Sequence, residues 1–210
     1  MNRRSLKFRA LALAALSLST LATAAMAATP AATAATAANN AVQVLPAESE
    51  IRFTTRQMGV PVGGRFERFS AQIALDPKAP ASGSVSFSID TASARFGALE
   101  LDGEVPKPTW LSAVRFPAAT FQSTAIKVTA PGRFEVSGNL AIKGASRDIV
   151  VPVQITQSGA GNLQSSIAIG SFTIRRLDFK IGEAEWADTS LLANDVVVQF
   201  KLKLSGLGQL

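Results

Sequence analysis

The chain predicts an all-β fold in which neighbouring antiparallel strands curl into one barrel, and three observations carry that expectation. Apolar and polar residues alternate with a period of two along nearly everything after residue 42, so each strand has one apolar and one hydrated face. The segments between strands are turn-like and too short for the crossovers that parallel strands need. About 165 patterned residues suffice for a single core, and one curved sheet that hides every apolar face is a barrel.

The first residues read as an export signal. Arg3, Arg4, Lys7 and Arg9 form a basic stretch, residues 11–21 an apolar run too short to span a bilayer, and Ala25-Met26-Ala27 a small-residue site. Cleavage is expected after Ala27, giving an exported, periplasmic protein. Residues 28–41, almost all Ala and Thr, have nothing large to bury and are expected to be a disordered spacer. The barrel domain then occupies residues 42–210.

Strands are expected at residues 42–45, 50–56, 66–75, 84–90, 120–129, 133–143, 148–157, 164–174 and 195–204. Their separators are turn chemistry: Gly63-Gly64, Asp76-Pro77, Ala130-Pro131-Gly132, Lys143-Gly144 and residues 158–162. Two stretches break the rhythm. Residues 97–112 hold Pro106 and Pro108 and read as a loop with one short helix; residues 178–194 read as an irregular connection. Each brings one tryptophan, Trp110 or Trp186, which either caps the core or gates an opening.

Composition narrows the function. The four basic residues of the signal leave with it, so 17 of the 21 Lys+Arg remain against 15 Asp+Glu, and the basic character is largely a targeting feature. No mature segment clusters basic and aromatic residues for nucleic acid. The chain has no His and no Cys, which removes imidazole and thiolate nucleophile systems and the usual ligands of zinc, haem and copper. Carboxylates remain. Glu183, Glu185 and Asp188, with Asp178 nearby, could serve as an acid/base pair of a hydrolase or a weak calcium site, or simply be solvated. Of Arg175 and Arg176, at most one points inward; it meets either a ligand head group or a neighbouring carboxylate such as Asp178 or Asp188.

An apolar interior makes an apolar ligand the leading functional expectation. Its candidate lining begins with Phe53, Met58, Phe66, Phe69, Phe87 and Ile89. Trp110, Phe116, Phe121, Val136, Leu140, Val151 and Val153 follow, then Ile167, Ile169, Phe172, Phe179, Trp186, Val198 and Phe200. Periodicity alone does not separate a hollow barrel from one filled by its own side chains.

Four segments occur in a telling order: QMGVPVGGRFERFSAQIALDP (57–77), RFPAATFQS (115–123), SGNLAIKG (137–144) and RLDFKIGEAEWADTS (176–190). Together they resemble the YceI-like family of polyisoprenoid-binding proteins over residues 43–204. The resemblance implies an up-and-down, lipocalin-like barrel of about eight strands whose tunnel holds an isoprenoid chain, either a polyprenyl lipid or a quinone tail. It also implies a periplasmic, non-enzymatic protein with no cofactor beyond that lipid, in transient contact with the membrane. A homodimer, or an interaction module for a membrane redox partner, is left open. The chain departs from typical members where Glu48 precedes Ser49, where Gln57 precedes Met58, and where Leu101, Asp102, Gly103 and Glu104 replace an Arg-Asp pair and a His. Head-group contacts of typical members therefore do not carry over.

Overall fold

The computed structural model describes residues 41–159 and 164–210. The expected signal, the expected spacer up to residue 40 and most of the turn read at 158–162 lie outside them. Eleven strand segments make one antiparallel sheet that closes on itself, and pairing resolves them into eight staves. The first is β1 (Ala41–Val44) continued by β2 (Glu50–Gln57). The second is β3 (Val60–Phe66) with β4 (Phe69–Ala74), and the third β5 (Ser84–Asp90) with the short β6 (Ala94–Arg95). β7 (Ala118–Ala130), β8 (Arg133–Ile142), β9 (Ala145–Ser158), β10 (Ser165–Arg175) and β11 (Asp195–Ser205) complete the circuit. Each stave pairs with its chain neighbour, and β11 closes on both β1 and β2. This is the antiparallel barrel that the alternation and short connections predict, in the up-and-down, lipocalin-like order of eight staves that the resemblance implies.

Local chemistry fixes the register. Between β1 and β2 the ladder breaks over a 3₁₀ turn, Pro46–Glu48, and the Ser49 hydroxyl spans the break, donating to Leu45 O at 2.7 Å and accepting from Lys203 N at 2.9 Å. Met58-Gly59 and Lys143-Gly144 take positive φ at both positions, the two-residue turn whose twist matches the flanking strands. The expected turn at Gly63-Gly64 is a misreading, since both residues lie inside β3. A Cβ on Gly64 would sit 2.5 Å from Phe53 Cζ and 2.4 Å from Arg95 O. Glycine there marks a close approach within a strand.

The upper end of the barrel carries the Met58-Gly59 and Lys143-Gly144 hairpins and both long connections. One connection contains α1 (Leu99–Glu104), the short helix expected there. The other contains 3₁₀ turns at Arg176–Phe179 and Ala184–Ala187. The lower end is covered by the buried Leu75 and Leu207, and the tail is fastened by Gln157, which donates to Gly208 O at 2.8 Å and accepts from Leu210 N at 2.9 Å.

Candidate functional site: an apolar tunnel

The inward faces of the staves do not meet. They enclose a cavity of about 260 Å³, well above the roughly 150 Å³ that lets an engineered apolar cavity accept benzene. Leu75, Ile126, Phe134, Ile155 and Leu204 line it below, and Val105, Trp110, Leu111, Ile181 and Leu192 above. Val196, Val198, Phe200, Leu202 and Leu204 all face it, so it follows β11 for about 20 Å along the barrel axis, given the rise and tilt of barrel strands.

Glycines keep the tunnel open. Phe53, Phe121 and Phe200 lie across Gly64, Gly138 and Gly170 of adjacent strands; an added Cβ would come within 2.5, 2.4 and 2.3 Å of the respective Cζ atoms. Each ring thus occupies the space its neighbour's side chain would have used, lying along the wall instead of projecting into the lumen. Phe53 and Gly64, and Phe200 and Gly170, are direct cross-strand partners. Among polar residues at the tunnel margin, Thr91 donates its hydroxyl to Phe116 O at 2.7 Å and Thr55 to Asp195 O at 3.1 Å. The apolar surface is left without a free donor from either.

At the upper end the tunnel stops at Arg176, which is 1% exposed. Its five N–H donors all go to backbone carbonyls. Nε reaches Ala193 O at 2.9 Å, Nη1 reaches Ile181 O at 2.9 Å and Gly182 O at 3.0 Å, and Nη2 reaches Trp186 O at 2.6 Å and Leu192 O at 2.7 Å. Burial pulls the guanidinium below its ordinary pKa, yet an arginine stays charged. Five carbonyl dipoles solvate the cation, and neither Asp178 nor Asp188 is its partner. Gly182 (φ 74°) is required beside it, because a Cβ there would lie 2.7 Å from Nη1. The Gly182 and Glu183 amides donate to Thr109 O at 2.9 and 3.1 Å, tying the two long connections together. Trp110 and Trp186 pack with ring centroids 5.3 Å apart and cap this end.

The carboxylates flank that cap. Lys143, buried, donates Nζ to Lys180 O at 2.6 Å and to Glu183 Oε2 at 2.7 Å. This hydrogen bond holds the Glu183 carboxyl below the usual carboxylate range. Asp188 is lowered likewise, by the hydroxyl and amide of Ser190. A general acid needs the opposite shift. Glu185 is exposed, and among the described residues no three His, Cys, Asp or Glu side chains gather to hold a metal ion.

Of the residues singled out from sequence, Phe53, Phe66, Phe87, Ile89, Trp110, Phe121, Val136, Leu140, Val151, Val153, Phe172, Val198 and Phe200 line the cavity. The others are placed elsewhere. Met58 is 69% exposed at its hairpin tip. Ile167 and Ile169 lie on the outer face of β10, because Ala168, Phe172 and Ile174 set the inner parity. Phe116 packs on Gly144 outside the lumen. Phe69 and Phe179 pack into the core without reaching the cavity, and Trp186 packs at a tilt against Trp110. The head-group role for Arg175 and Arg176 fails on geometry, since Arg175 points to solvent and Arg176 has no donor left. Sequence reasoning left much of the lining unnamed, Phe96, Ile142, Ile155, Leu202 and Leu204 among it, although parity carried along their strands from Leu140, Val153 and Val198 identifies all but Phe96 of these five.

Comparison with known proteins agrees with this architecture. Residues 43–204 match the family described as YceI-like domain. A UPF0312 protein of Vibrio cholerae is 28% identical over 152 residues, 69% of this chain and 80% of that one. Among solved structures, Burkholderia cenocepacia BcnA superposes with a TM-score of 0.73 at 36% identity, over 78% of this chain and all of that one. A polyisoprenoid binding domain from Saccharophagus degradans, implicated in plant cell wall breakdown, gives a TM-score of 0.62 at 16% identity, over 78% of this chain and 97% of that one.

Proposed function

The chain belongs to the YceI-like domain family, and from that premise we propose that it binds an isoprenoid lipid in its tunnel and exchanges it with a membrane after export to the periplasm. The observation that carries this reading is the tunnel's shape and chemistry together: long, narrow, apolar from Leu75 to Trp110, with its one cation already saturated by carbonyls. Such a site suits a branched hydrocarbon chain and offers nothing inside for a polar head. The structural relative described as a polyisoprenoid binding domain supports the same choice of ligand.

Energetics favour exchange over capture. At about 0.8 kcal/mol per buried CH₂, the roughly 20 carbons of isoprenoid chain that such a tunnel spans gain about 16 kcal/mol on leaving water, close to the practical ceiling near 20. The tail's alternative is the bilayer, where it is already dry, so transfer between bilayer and tunnel is close to neutral. A carrier, store or sensor works on that balance. Organic extraction of the purified protein followed by mass spectrometry is expected to release a polyprenyl lipid or an isoprenoid quinone. Finding no such lipid, together with no uptake of either class from vesicles, overturns the reading.

A further inference from the structure

The barrel wall is incomplete on one side of its upper half. β3 pairs with β2 from Val60 to Phe66, but its other edge pairs only at Arg65 and Phe66, with Arg95 and Ala94 of β6. Continuing that register would bring Gly97 and Ala98 alongside Gly63 and Val62. Instead the chain leaves the ladder at Gly97, in the left-handed region at φ 81°, and turns into α1. From Val60 to Gly63 this edge has no strand partner among the described residues.

Exposure tells the same story. Val60 shares the inner face of β3 with Phe66, which lines the tunnel, yet Val60 is 62% exposed. An inward-facing valine is open to solvent when nothing stands opposite it. Leu99, the first residue of α1, is 93% exposed. Behind these apolar lips stand three tunnel-lining rings: Phe53 lies 5.1 Å from Phe66 and 5.0 Å from Phe96, centroid to centroid. On the hairpin side of the Arg65–Arg95 pair, no ladder hydrogen bond crosses in front of them among the described residues. The two axial ends are fastened by comparison, the upper by Arg176 and the lower by the tail held on Gln157.

The geometry points to a lateral portal between the β2–β3 hairpin and α1, through which an apolar chain enters and leaves the tunnel, with Phe53, Phe66 and Phe96 as its inner door. The identity of the chain rests on the isoprenoid reading above; the portal itself does not. Opening it requires rotation of phenyl rings and a small swing of α1, with no strand pair broken. Asp102, which accepts from Phe96 N at 2.6 Å, couples α1 to the door.

The chain contains no cysteine, so Val60→Cys, Leu99→Cys, Glu185→Cys and Val128→Cys each create a unique anchor for a maleimide-linked polymer at an exposed position. The first two cap the portal, Glu185 the upper axial end and Val128 the lower half. Loading is followed with two probes: a tetraprenyl quinone supplied in phosphatidylcholine vesicles, read by quenching of tryptophan fluorescence, and N-phenyl-1-naphthylamine supplied from water, read by its own emission. Polymer at Val60 or Leu99 is expected to slow loading about tenfold or more, with polymer at Glu185 or Val128 leaving the rate unchanged. Loading unaffected by the portal caps, or slowed instead by polymer at Glu185 or Val128, overturns the portal. Should the dye be blocked at the portal while no form of the protein takes up quinone, the portal stands and the isoprenoid assignment is what fails.

Discussion

The two halves of the barrel are built from different materials. Below Phe200, the interior is Ile73, Ile126, Phe134, Ile155, Leu202, Leu204 and similar side chains, closed at the base by Leu75 and Leu207. Above it, the apolar wall is joined by buried Thr91, Ser93, Ser112, Lys143 and Arg176, two long connections and an unpaired strand edge; Ser166 is the one buried polar residue of the described lower half. Apolar packing tolerates neighbours of similar volume, whereas a buried polar network must be satisfied group by group. The lower half therefore has the makings of a passive sleeve. The upper half fixes where the tunnel ends and which part of the wall is free to move.

Arg176 gives the most severe way to test that contrast. Replacing it with Met, of similar length, leaves the carbonyls of Ile181, Gly182, Trp186, Leu192 and Ala193 without their donor. At about 1–3 kcal/mol for each buried group stranded in this way, Arg176→Met is expected to cost roughly 4 kcal/mol or more even if water reaches some of them. Arg176→Lys, with three donors in a different geometry, is expected to recover less than half. In the lower half, Leu204→Ala removes packing alone and should cost about 2–5 kcal/mol. Urea unfolding of lipid-free protein measures all three. An Arg176→Met variant as stable as the parent would show that the cap is not held by its cation.

A smaller effect separates a hollow wall from a filled one. In Gly170→Ala the new methyl meets the Phe200 ring and Pro152 O, at 2.3 and 2.6 Å before relaxation. The ring is expected to swing toward the lumen, at a cost of about 1–3 kcal/mol. Combining it with Phe200→Leu should recover the part due to the ring, leaving the contact with Pro152 O, so the two changes are non-additive in a double-mutant cycle. Additive costs would mean that the ring does not depend on the glycine. The readout is denaturation together with the number of quinone molecules held per chain.

The same residues explain what was legible in the sequence. The barrel was, because a period of two and short turns leave little choice of architecture, and so was part of the lining, because parity propagates along a strand. What failed depended on partners distant in the chain. Gly63-Gly64 has the composition of a turn, and only the rings and carbonyls of other strands reveal a close approach. On β10, Ile167 and Ile169 compete with Ala168 and Phe172 for the inner face; hydrophobicity favours the isoleucines, but Gly170, facing Phe200, sets the register. The partners of Arg176 are carbonyls, which every sequence has everywhere, so no spacing of acidic residues could announce them. The unpaired edge of β3 is invisible for the same reason, since pairing is a property of two segments.

The mildest test concerns the fastening of the cap from outside. Glu183 is held below its ordinary pKa by Lys143, so its contribution to stability is fully present above the unfolded carboxylate range, near 4.3, and is lost as pH falls through the lower folded value. Its carboxylate is half exposed, which keeps the effect small. Glu183→Gln cannot titrate, and its stability should decline less steeply than that of the parent as the pH is taken through and below the carboxylate range, with the two curves running parallel above it. Asp90, lowered by its bond to Arg68, gives both proteins a common acid sensitivity that the comparison cancels. Because Lys143 keeps its bond to Lys180 O, the variant should hold its cap closed and load ligand at the parental rate. Faster loading in Glu183→Gln would mean that the axial cap opens during exchange, and the division between a fastened end and a mobile side wall would have to be redrawn.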